Sequence, residues 1–153
     1  MIRGLVLLCA LYFLALTSYS VNAMTNEQRA VIREHFEKLG IECIGDNPIT
    51  EQDINDLRAK NVPSGPAAPC FLACVLKKCG VMDDHGMLKS ETALDLARKV
   101  FDDEEELKII ADYLHSCHTV NSEAVSDGEK GCERAISAYK CMKENAPKFG
   151  IDV

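Results

Sequence analysis

The chain has 153 residues, of which 47% are hydrophobic and 27% are charged, with 17 basic side chains against 24 acidic ones. This length suits one domain, and the apolar fraction excludes an intrinsically disordered protein. The formal net charge of −7 disfavours nucleic acid and anionic membrane surfaces as partners, because both attract cationic proteins. Nine glycines and five prolines are also too few for a turn-rich β-sandwich.

Residues 1–23 have the pattern of a secretory signal peptide. Arg3 precedes an apolar run over residues 5–16, and Val21 and Ala23 offer small side chains at a cleavage site. As a helix, this run would span only about 18 Å, which is short of a hydrocarbon core of about 30 Å. We therefore expect residues 1–23 to be removed. Residues 24–153 would then be a single secreted, extracellular domain without a membrane span.

The mature segment has the apolar spacing and end signals of about six helices, and no strand-like alternation. Thr25 predicts the start of the first helix, which Gly40 would end. Thr50 predicts the start of the second, which would end at residues 61–63, and the prolines of residues 63–69 predict a loop. The fold class is therefore all-α.

A central buried helix is predicted over residues 70–79, because this segment is apolar nearly all round until Lys77. The acidic run over residues 102–106 is typical of a solvated helix start, where the macrodipole favours negative charge. Calcium binding is the weaker interpretation of that run, and we expect neither a metal nor another cofactor. The remaining predicted elements are a loop over 81–89, a short helix over 90–100, a helix from 102 to 114, a loop over 121–131 and a last helix over 129–144.

Secretion changes the meaning of the cysteines, because an oxidising compartment favours disulfides over metal binding. Cys70 and Cys74 project from one face of a helix and cannot easily bond to each other. Cys132 and Cys141 lie on opposite faces of the last helix and cannot pair either. The other connectivities stay open. The cysteines left in the mature segment are Cys43, Cys70, Cys74, Cys79, Cys117, Cys132 and Cys141.

The gaps between six of these cysteines are 26, 3, 42, 14 and 8 residues, a spacing that resembles the signature of insect odorant-binding proteins, the pheromone and general odorant-binding family. The segments 70–75 and 138–141 also resemble that family locally. The resemblance covers nearly the whole mature chain. It implies a helical fold braced by three disulfides, which would be Cys43–Cys74, Cys70–Cys132 and Cys117–Cys141.

Three braces are more than a solid core of this size needs. A hollow interior loses packing contacts along its lining, and cross-links can offset that loss. We therefore expect about six helices around a hydrophobic cavity that takes one small hydrophobic molecule. The resemblance implies odorants or pheromone-like volatiles, carried through sensillar lymph to an olfactory receptor. The alternatives are a carrier of a non-olfactory ligand and a secreted protein-interaction or toxin-like module.

No catalytic motif such as GxSxG or HExxH occurs in the sequence, so we do not expect an enzyme. The predicted cavity wall is formed by apolar side chains that we expect to face away from solvent. Residues 149–153 alternate apolar and other side chains, which predicts an extended tail that folds back over the cavity as a lid or wall; the alternative is a tail that frays into solvent. Four hydroxyls could contact a polar group of the ligand: Thr50, Tyr113, Ser116 and Tyr139. The predicted wall comprises Phe36, Ile54, Leu57, Phe71, Leu72, Val75, Leu76, Leu88, Leu94, Ile110, Leu114 and Ile136, with Phe149 and Ile151 from the tail.

Two further features each have two interpretations. His115 and His118 could trigger ligand release in acid, since histidine titrates between pH 5 and 8, or they could be solvated surface groups. Cys79 departs from the six-cysteine pattern. It could be a reactive thiol or an intermolecular bridge, but a small buried hydrophobe is the favoured interpretation.

Overall fold

The computed structural model describes residues 24–151, so the predicted signal peptide and residues 152–153 lie outside it. Over this range the chain forms α-helices, short 3-10 turns and one isolated antiparallel bridge between Met82 and Leu88, without a strand. The all-α prediction is confirmed. The helices are α1 (Asn26–Ile44), α2 (Glu51–Arg58), α3 (Ala68–Lys78), α4 (Glu91–Ala97), α5 (Glu104–His115) and α6 (Cys132–Asn145).

Local side-chain caps begin three of these helices where the sequence predicts. The Thr25 hydroxyl accepts a hydrogen bond from the backbone N–H of Gln28 at 3.1 Å, and the Gln28 side chain accepts one from the Thr25 N–H at 2.7 Å. Thr50 and Asp53 form the same reciprocal box at the start of α2. Asp103 caps α5, so the acidic run does begin a helix.

The sequence predicted that α1 ends at Gly40, but the helix continues to Ile44. Tertiary contacts hold this last stretch of the helix: Leu39 and Cys43 are buried, Cys43 is bonded to Cys74, and the Phe71 ring lies beside Gly40. Helix α6 begins at Cys132, later than predicted, because residues 128–130 form a 3-10 turn and Gly131 has a left-handed φ of 72°.

Three disulfides join the helices, and all three pairs implied by the resemblance are confirmed. Helix α3 is bonded to α1 and to the start of α6, and α6 is bonded in turn to Cys117, two residues after the end of α5. Helix α3 also packs extensively against α6 and α1, so the prediction of a central buried helix is confirmed. The bonded pairs and their Cα–Cα distances are Cys43–Cys74 at 5.9 Å, Cys70–Cys132 at 4.3 Å and Cys117–Cys141 at 5.8 Å.

The extended conformation predicted for residues 149–153 is wrong for Phe149 and Gly150. Residues Ala146–Phe149 form a 3-10 turn that Pro147 begins, because proline's fixed φ suits a first helical turn. Gly150 then adopts a φ of 66°, and the Ile151 N–H donates to the Ala146 carbonyl at 2.9 Å. This reversal turns Ile151 inward, where it is buried.

Candidate functional site

The first apolar cluster, called the central cluster below, lies around α3. Two successive turns of α3 bury Phe71, Leu72, Val75 and Leu76. All six bonded cysteines belong to this cluster or pack directly against it. The helix that is apolar all round therefore forms the covalently braced centre of the fold.

A second, smaller cluster, called the terminal cluster below, is built from segments distant in the sequence. Its buried members are Met24, Phe101 and Ile151, which are 5%, 3% and 6% exposed. Met24 and Ile151 are the first and last described residues, so the cluster brings both ends of the described chain together. It contains no cysteine.

Helix α5 connects the two clusters. Ile110 and Tyr113 are partly buried and pack against both clusters, so they form a junction between them. The Tyr113 ring meets the Phe149 ring edge-on, with 5.8 Å between centroids. Because Phe149 belongs to the tail, the junction is bounded by α5 on one side and by the end of the chain on the other.

The structure places the predicted wall residues in different environments. Phe36 is 39% exposed and lies outside both clusters, so the expectation that it points away from solvent is wrong. Ile54 is partly buried and also outside both clusters. In the terminal cluster Ile151 is buried and Phe149 packs against it. In the central cluster Phe71, Leu72, Val75, Leu76, Leu88 and Leu114 are buried, and Leu57, Leu94, Ile110 and Ile136 are partly buried against them.

Three of the four predicted polar contacts already have intramolecular partners. The exposed Thr50 hydroxyl is used in the cap of α2. The Tyr113 hydroxyl donates to the Met142 carbonyl at 3.1 Å, and the Ser116 hydroxyl donates to the Tyr113 carbonyl at 2.6 Å. By contrast, the Tyr139 hydroxyl makes no hydrogen bond to any residue in the range 24–151. Tyr139 is therefore the hydroxyl still available to a ligand.

Burial raises the pKa of both Tyr113 and Tyr139 above that of a phenol on the surface. Desolvation, with a smaller contribution from the charge of Tyr139, raises the pKa of Tyr113 to about 12. Desolvation also raises the pKa of Tyr139. Both phenols are consequently neutral over the physiological range, and each can act as a hydrogen-bond donor without introducing a charge beside the apolar clusters.

Two of the histidines, His115 and His118, lie side by side at the end of α5. His115 ends α5 and is exposed, and its ring lies 4.6 Å from the partly buried His118 ring. The Nε2 atom of His118 is buried without a hydrogen-bond partner in the described part of the chain. The exposed His85 instead pairs with Glu129 at 2.9 Å, and the hydrogen bond from that carboxylate raises the pKa of His85. Acid-triggered release through His115 and His118 stays a prediction.

Sequence reasoning missed a buried arginine that fixes α6 to two neighbouring segments. Arg134 is 5% exposed, and its guanidinium donates to the carbonyl oxygens of Gly86, Val120 and Glu123 at 3.1 to 3.2 Å. A buried charge needs such partners to offset its desolvation. No pattern in the sequence indicates this role, because Glu133 directly precedes Arg134 and the two resemble an ordinary surface charge pair.

Asp53 forms a buried tertiary contact that was not predicted from the sequence. Its carboxylate accepts hydrogen bonds from the Thr50 hydroxyl at 2.7 Å and from the Gly65 N–H at 2.7 Å, and the residue is 1% exposed. The Thr50 side chain, followed by backbone N–H groups, holds the pKa of Asp53 below its ordinary value of 3.8. Gly65 must lack a side chain, because a Cβ there would overlap this carboxylate.

Cys79, the cysteine outside the six-cysteine pattern, is unbonded and buried in the central cluster. Its thiol lies 3.4 Å from the Leu76 carbonyl, and desolvation raises its pKa to about 11. A thiol that is protonated and shielded from solvent reacts slowly. These features favour the interpretation of Cys79 as a small buried hydrophobe.

Comparison with known proteins identifies the family. Residues 25–145 match the PBP/GOBP family model, which is more than half of the chain. The chain belongs to the PBP/GOBP family. General odorant-binding protein 19d of Drosophila melanogaster is 29% identical over 122 residues, which cover 79% of this chain and 78% of that protein.

Solved structures of insect proteins have the same helical fold. An odorant-binding protein from Drosophila melanogaster superposes with a TM-score of 0.59 at 25% identity, covering 83% of this chain and all of that one. A pheromone-binding protein from the cockroach Leucophaea maderae, solved with the fluorescent reporter ANS, gives a TM-score of 0.56 at 20% identity, covering 72% of this chain and 92% of that one. At that identity the second likeness shows the fold alone. No helix within residues 24–151 is long and apolar enough to cross a membrane.

Proposed function

We propose that this member of the PBP/GOBP family is a secreted carrier that holds one small hydrophobic molecule at the junction between its two apolar clusters. The observation that supports this proposal is the position of Ile110 and Tyr113, which pack against both clusters and stay partly exposed. Apolar surface that is only partly covered by protein can be covered by a ligand. The relatives named as odorant-binding proteins favour odorants or pheromone-like volatiles as that ligand.

Apolar contact supplies most of the binding free energy in this proposal. Burial contributes about 25 cal/mol for each Å² of apolar surface, so a ligand that buries about 250 Å² gains roughly 6 kcal/mol before its loss of motion is subtracted. A single hydrogen bond adds only about 0.5–1.5 kcal/mol net. The size and shape of a volatile should therefore determine its affinity more than its polar group does.

Tyr139 is the polar contact that this proposal assigns to the ligand. Its hydroxyl has no partner among the described residues, and its ring packs against the central cluster beside Ile136 and Met142. The proton of a neutral phenol suits an alcohol, aldehyde or ester oxygen. Thr50, Tyr113 and Ser116 are less suitable, because their hydroxyls already donate within the fold.

The tail would form one wall of the site. Phe149 contacts Tyr113 through its ring edge, and Ile151 is buried in the terminal cluster. A ligand at the junction would lie against these side chains, so the tail would close the site as a compact turn instead of the extended lid that the sequence predicted. The wall role of the other apolar residues in the central cluster stays a prediction.

Secretion and delivery complete the proposal. The signal peptide predicted over residues 1–23 directs export, and the three disulfides form in the oxidising compartments through which exported proteins pass. The carrier would then release its ligand at an olfactory receptor. A carrier of a non-olfactory ligand would have the same site, and the tissue in which the protein is made distinguishes the two.

Displacement of a fluorescent apolar probe tests the carrier function. The purified, disulfide-bonded protein is titrated with 1-anilinonaphthalene-8-sulfonate, and the bound probe is then displaced with alkanes, alcohols and esters of matched length. We expect saturable binding of one probe molecule per chain and displacement by all three ligand classes. A protein that binds no probe, or binds probe that no volatile displaces, contradicts the carrier function and favours the protein-interaction alternative.

Tyr139→Phe, with Tyr113→Phe as the matched control, tests the polar contact. Loss of the Tyr139 hydroxyl should weaken binding of an alcohol about 2–10-fold while leaving the alkane of equal length unchanged, because only the alcohol loses a hydrogen bond. Tyr113→Phe should not change the ratio between alcohol and alkane. If Tyr139→Phe weakens both ligands equally, the hydroxyl does not contact the ligand.

A further inference from the structure

The large apolar side chains that remain exposed in residues 24–151 all lie on α1. Val31 is 51% exposed, Phe36 39%, Ile41 73% and Ile44 37%. Neither the central cluster nor the terminal cluster includes any of these four side chains. Exposed apolar residues concentrated on one element indicate a contact surface more strongly than the same residues scattered singly.

Three of these side chains lie on the face of α1 that points away from the fold. At 100° per residue, buried Leu39 and Cys43 anchor one side of the helix, and Ile41 projects from the opposite side. Val31 and Ile44 flank Ile41 within about 80° on either side. Phe36 lies nearer the anchored side and is not part of this face. The outer face also carries Glu34, Glu37 and Lys38, which are all exposed.

The outer face of α1 is complementary to itself when two copies run antiparallel. Placing the two-fold axis between Glu37 and Lys38 sets Glu37 of each copy opposite Lys38 of the other. The same register sets Val31 opposite Ile44, and lays Ile41 over the aliphatic part of Glu34. At the ends of the contact, Ala30 meets Gly45, and the space around Gly45 is open, with nothing within 4 Å of a Cβ placed there.

The charges that this register pairs are not already used in the fold. Lys78 pairs with Glu42 at 3.1 Å, whereas Glu37 and Lys38 form no ion pair with any other described residue. Like charges facing each other would oppose association of two acidic chains, so the alternation of sign at the centre of the face is the feature that selects a second copy as the partner.

We propose that the outer face of α1 is a self-association surface, on which two copies of this chain form an antiparallel, two-fold symmetric dimer. A two-fold interface uses one patch twice, which is the property that this register has. One helix from each copy covers less than the roughly 1,200 Å² typical of stable complexes, so the dimer is weak and reversible. The face shares no residue with the junction between the two clusters, so this proposal does not rest on the proposed carrier function.

Charge reversal tests the register. Sedimentation velocity is measured over a concentration series for the unmodified protein, for Glu37→Lys and for Lys38→Glu. Each substitution replaces two attractive pairs with two repulsive ones, so we expect each to weaken dimerisation about tenfold. Glu37→Lys lowers the net negative charge of the chain, and a general charge effect would therefore strengthen association instead. Glu144→Lys on α6 makes the same charge change away from the face and should not weaken the dimer.

Mixing the two variants gives the decisive result. A Glu37→Lys chain and a Lys38→Glu chain face each other with opposite charges at both central positions, so an equimolar mixture should dimerise again, as should the double variant with both substitutions. Restoration in both samples supports the register. A protein that stays monomeric at about 1 mM, or a dimer that neither reversal weakens, or weakening that neither mixing nor the double variant restores, overturns the proposal.

Discussion

The central and terminal clusters are stabilised by different means. All six bonded cysteines lie in or against the central cluster, whereas the terminal cluster contains none. Asp53 and Arg134, the two buried charged residues within residues 24–151, also lie outside the terminal cluster. The terminal cluster thus depends on apolar contacts between the two ends of the described chain and the segment around Phe101. The covalent part of the fold should stay closed while the apolar part opens.

This difference fits a carrier that must be stable and still exchange its ligand. Cross-links restrict the unfolded chain at every point that they join, whereas apolar contacts at chain ends can open locally at a fraction of the global unfolding free energy. The proposed site lies where the two regions meet. A ligand could then enter by separation of the terminal cluster, without disturbing the helices that the disulfides hold.

The largest expected effect comes from removing the bond with the longest loop. Cys70 and Cys132 are 62 residues apart, and the chain-entropy estimate for such a loop is about 4 kcal/mol. Cys70→Ala with Cys132→Ala should therefore lower the free energy of unfolding by about 4 kcal/mol, measured by denaturant titration under oxidising conditions.

The shorter loop between Cys117 and Cys141 provides the matched control. These residues are 24 apart, and alanine at both should reduce the free energy of unfolding by about 3.5 kcal/mol, slightly less than the first pair. A loss below about 1 kcal/mol in either double variant would contradict the view that disulfides distinguish the central region from the terminal one.

A smaller effect is expected from the tail, which tests the other side of the comparison. Deleting residues 149–153 removes one buried and one partly buried apolar side chain from the terminal cluster. The free energy of unfolding should fall by about 2 kcal/mol, and affinity for the fluorescent probe should fall several-fold, since the deletion removes a proposed wall of the site. Both quantities are measured on the same preparation.

Phe101→Leu separates these two consequences. Phe101 is buried in the terminal cluster but lies outside the tail, so this substitution loosens the cluster and leaves the tail present. It should lower stability with little change in probe affinity. If affinity falls in proportion to stability in both variants, the tail stabilises the cluster but does not contact the ligand.

Features that depend on neighbouring residues could be predicted from the sequence. Thr25 and Thr50 begin helices because each cap needs only a partner three residues later. The all-round apolar pattern of α3 likewise predicted its burial. The disulfide pairing required the family resemblance, because helix geometry excluded two bonds and left the others open.

Features that depend on distant residues could not be predicted. Gly40 looks like a helix end until the Phe71 ring is seen beside it. Arg134 donates a hydrogen bond to the carbonyl oxygen of Gly86, which is distant in the sequence. No pattern in a single sequence predicts such a partner. The four candidate hydroxyls looked equivalent as well. The structure distinguishes them, because the hydroxyls of Thr50, Tyr113 and Ser116 donate hydrogen bonds within the fold. The Tyr139 hydroxyl has no such partner among the described residues.

The smallest expected effect is an acid dependence that belongs to the non-terminal part of the fold. The Thr50 hydroxyl, with backbone N–H groups, lowers the pKa of Asp53. A carboxyl whose folded pKa lies below its unfolded value stabilises the fold above the unfolded pKa, near 3.8, and loses that contribution as pH falls through the folded value. Denaturant titrations between pH 7 and pH 2 should therefore show a loss of stability below about pH 4.

In Asp53→Asn this acid-dependent loss of stability should be smaller. Stability at pH 7 should also be lower, because the amide nitrogen cannot accept the hydrogen bonds that the second carboxylate oxygen accepts. Glu144→Gln, which removes an exposed carboxylate from α6, should leave the acid dependence unchanged. Equal slopes of stability against pH in the unmodified protein and Asp53→Asn would mean that this carboxylate contributes nothing to the acid sensitivity of the fold.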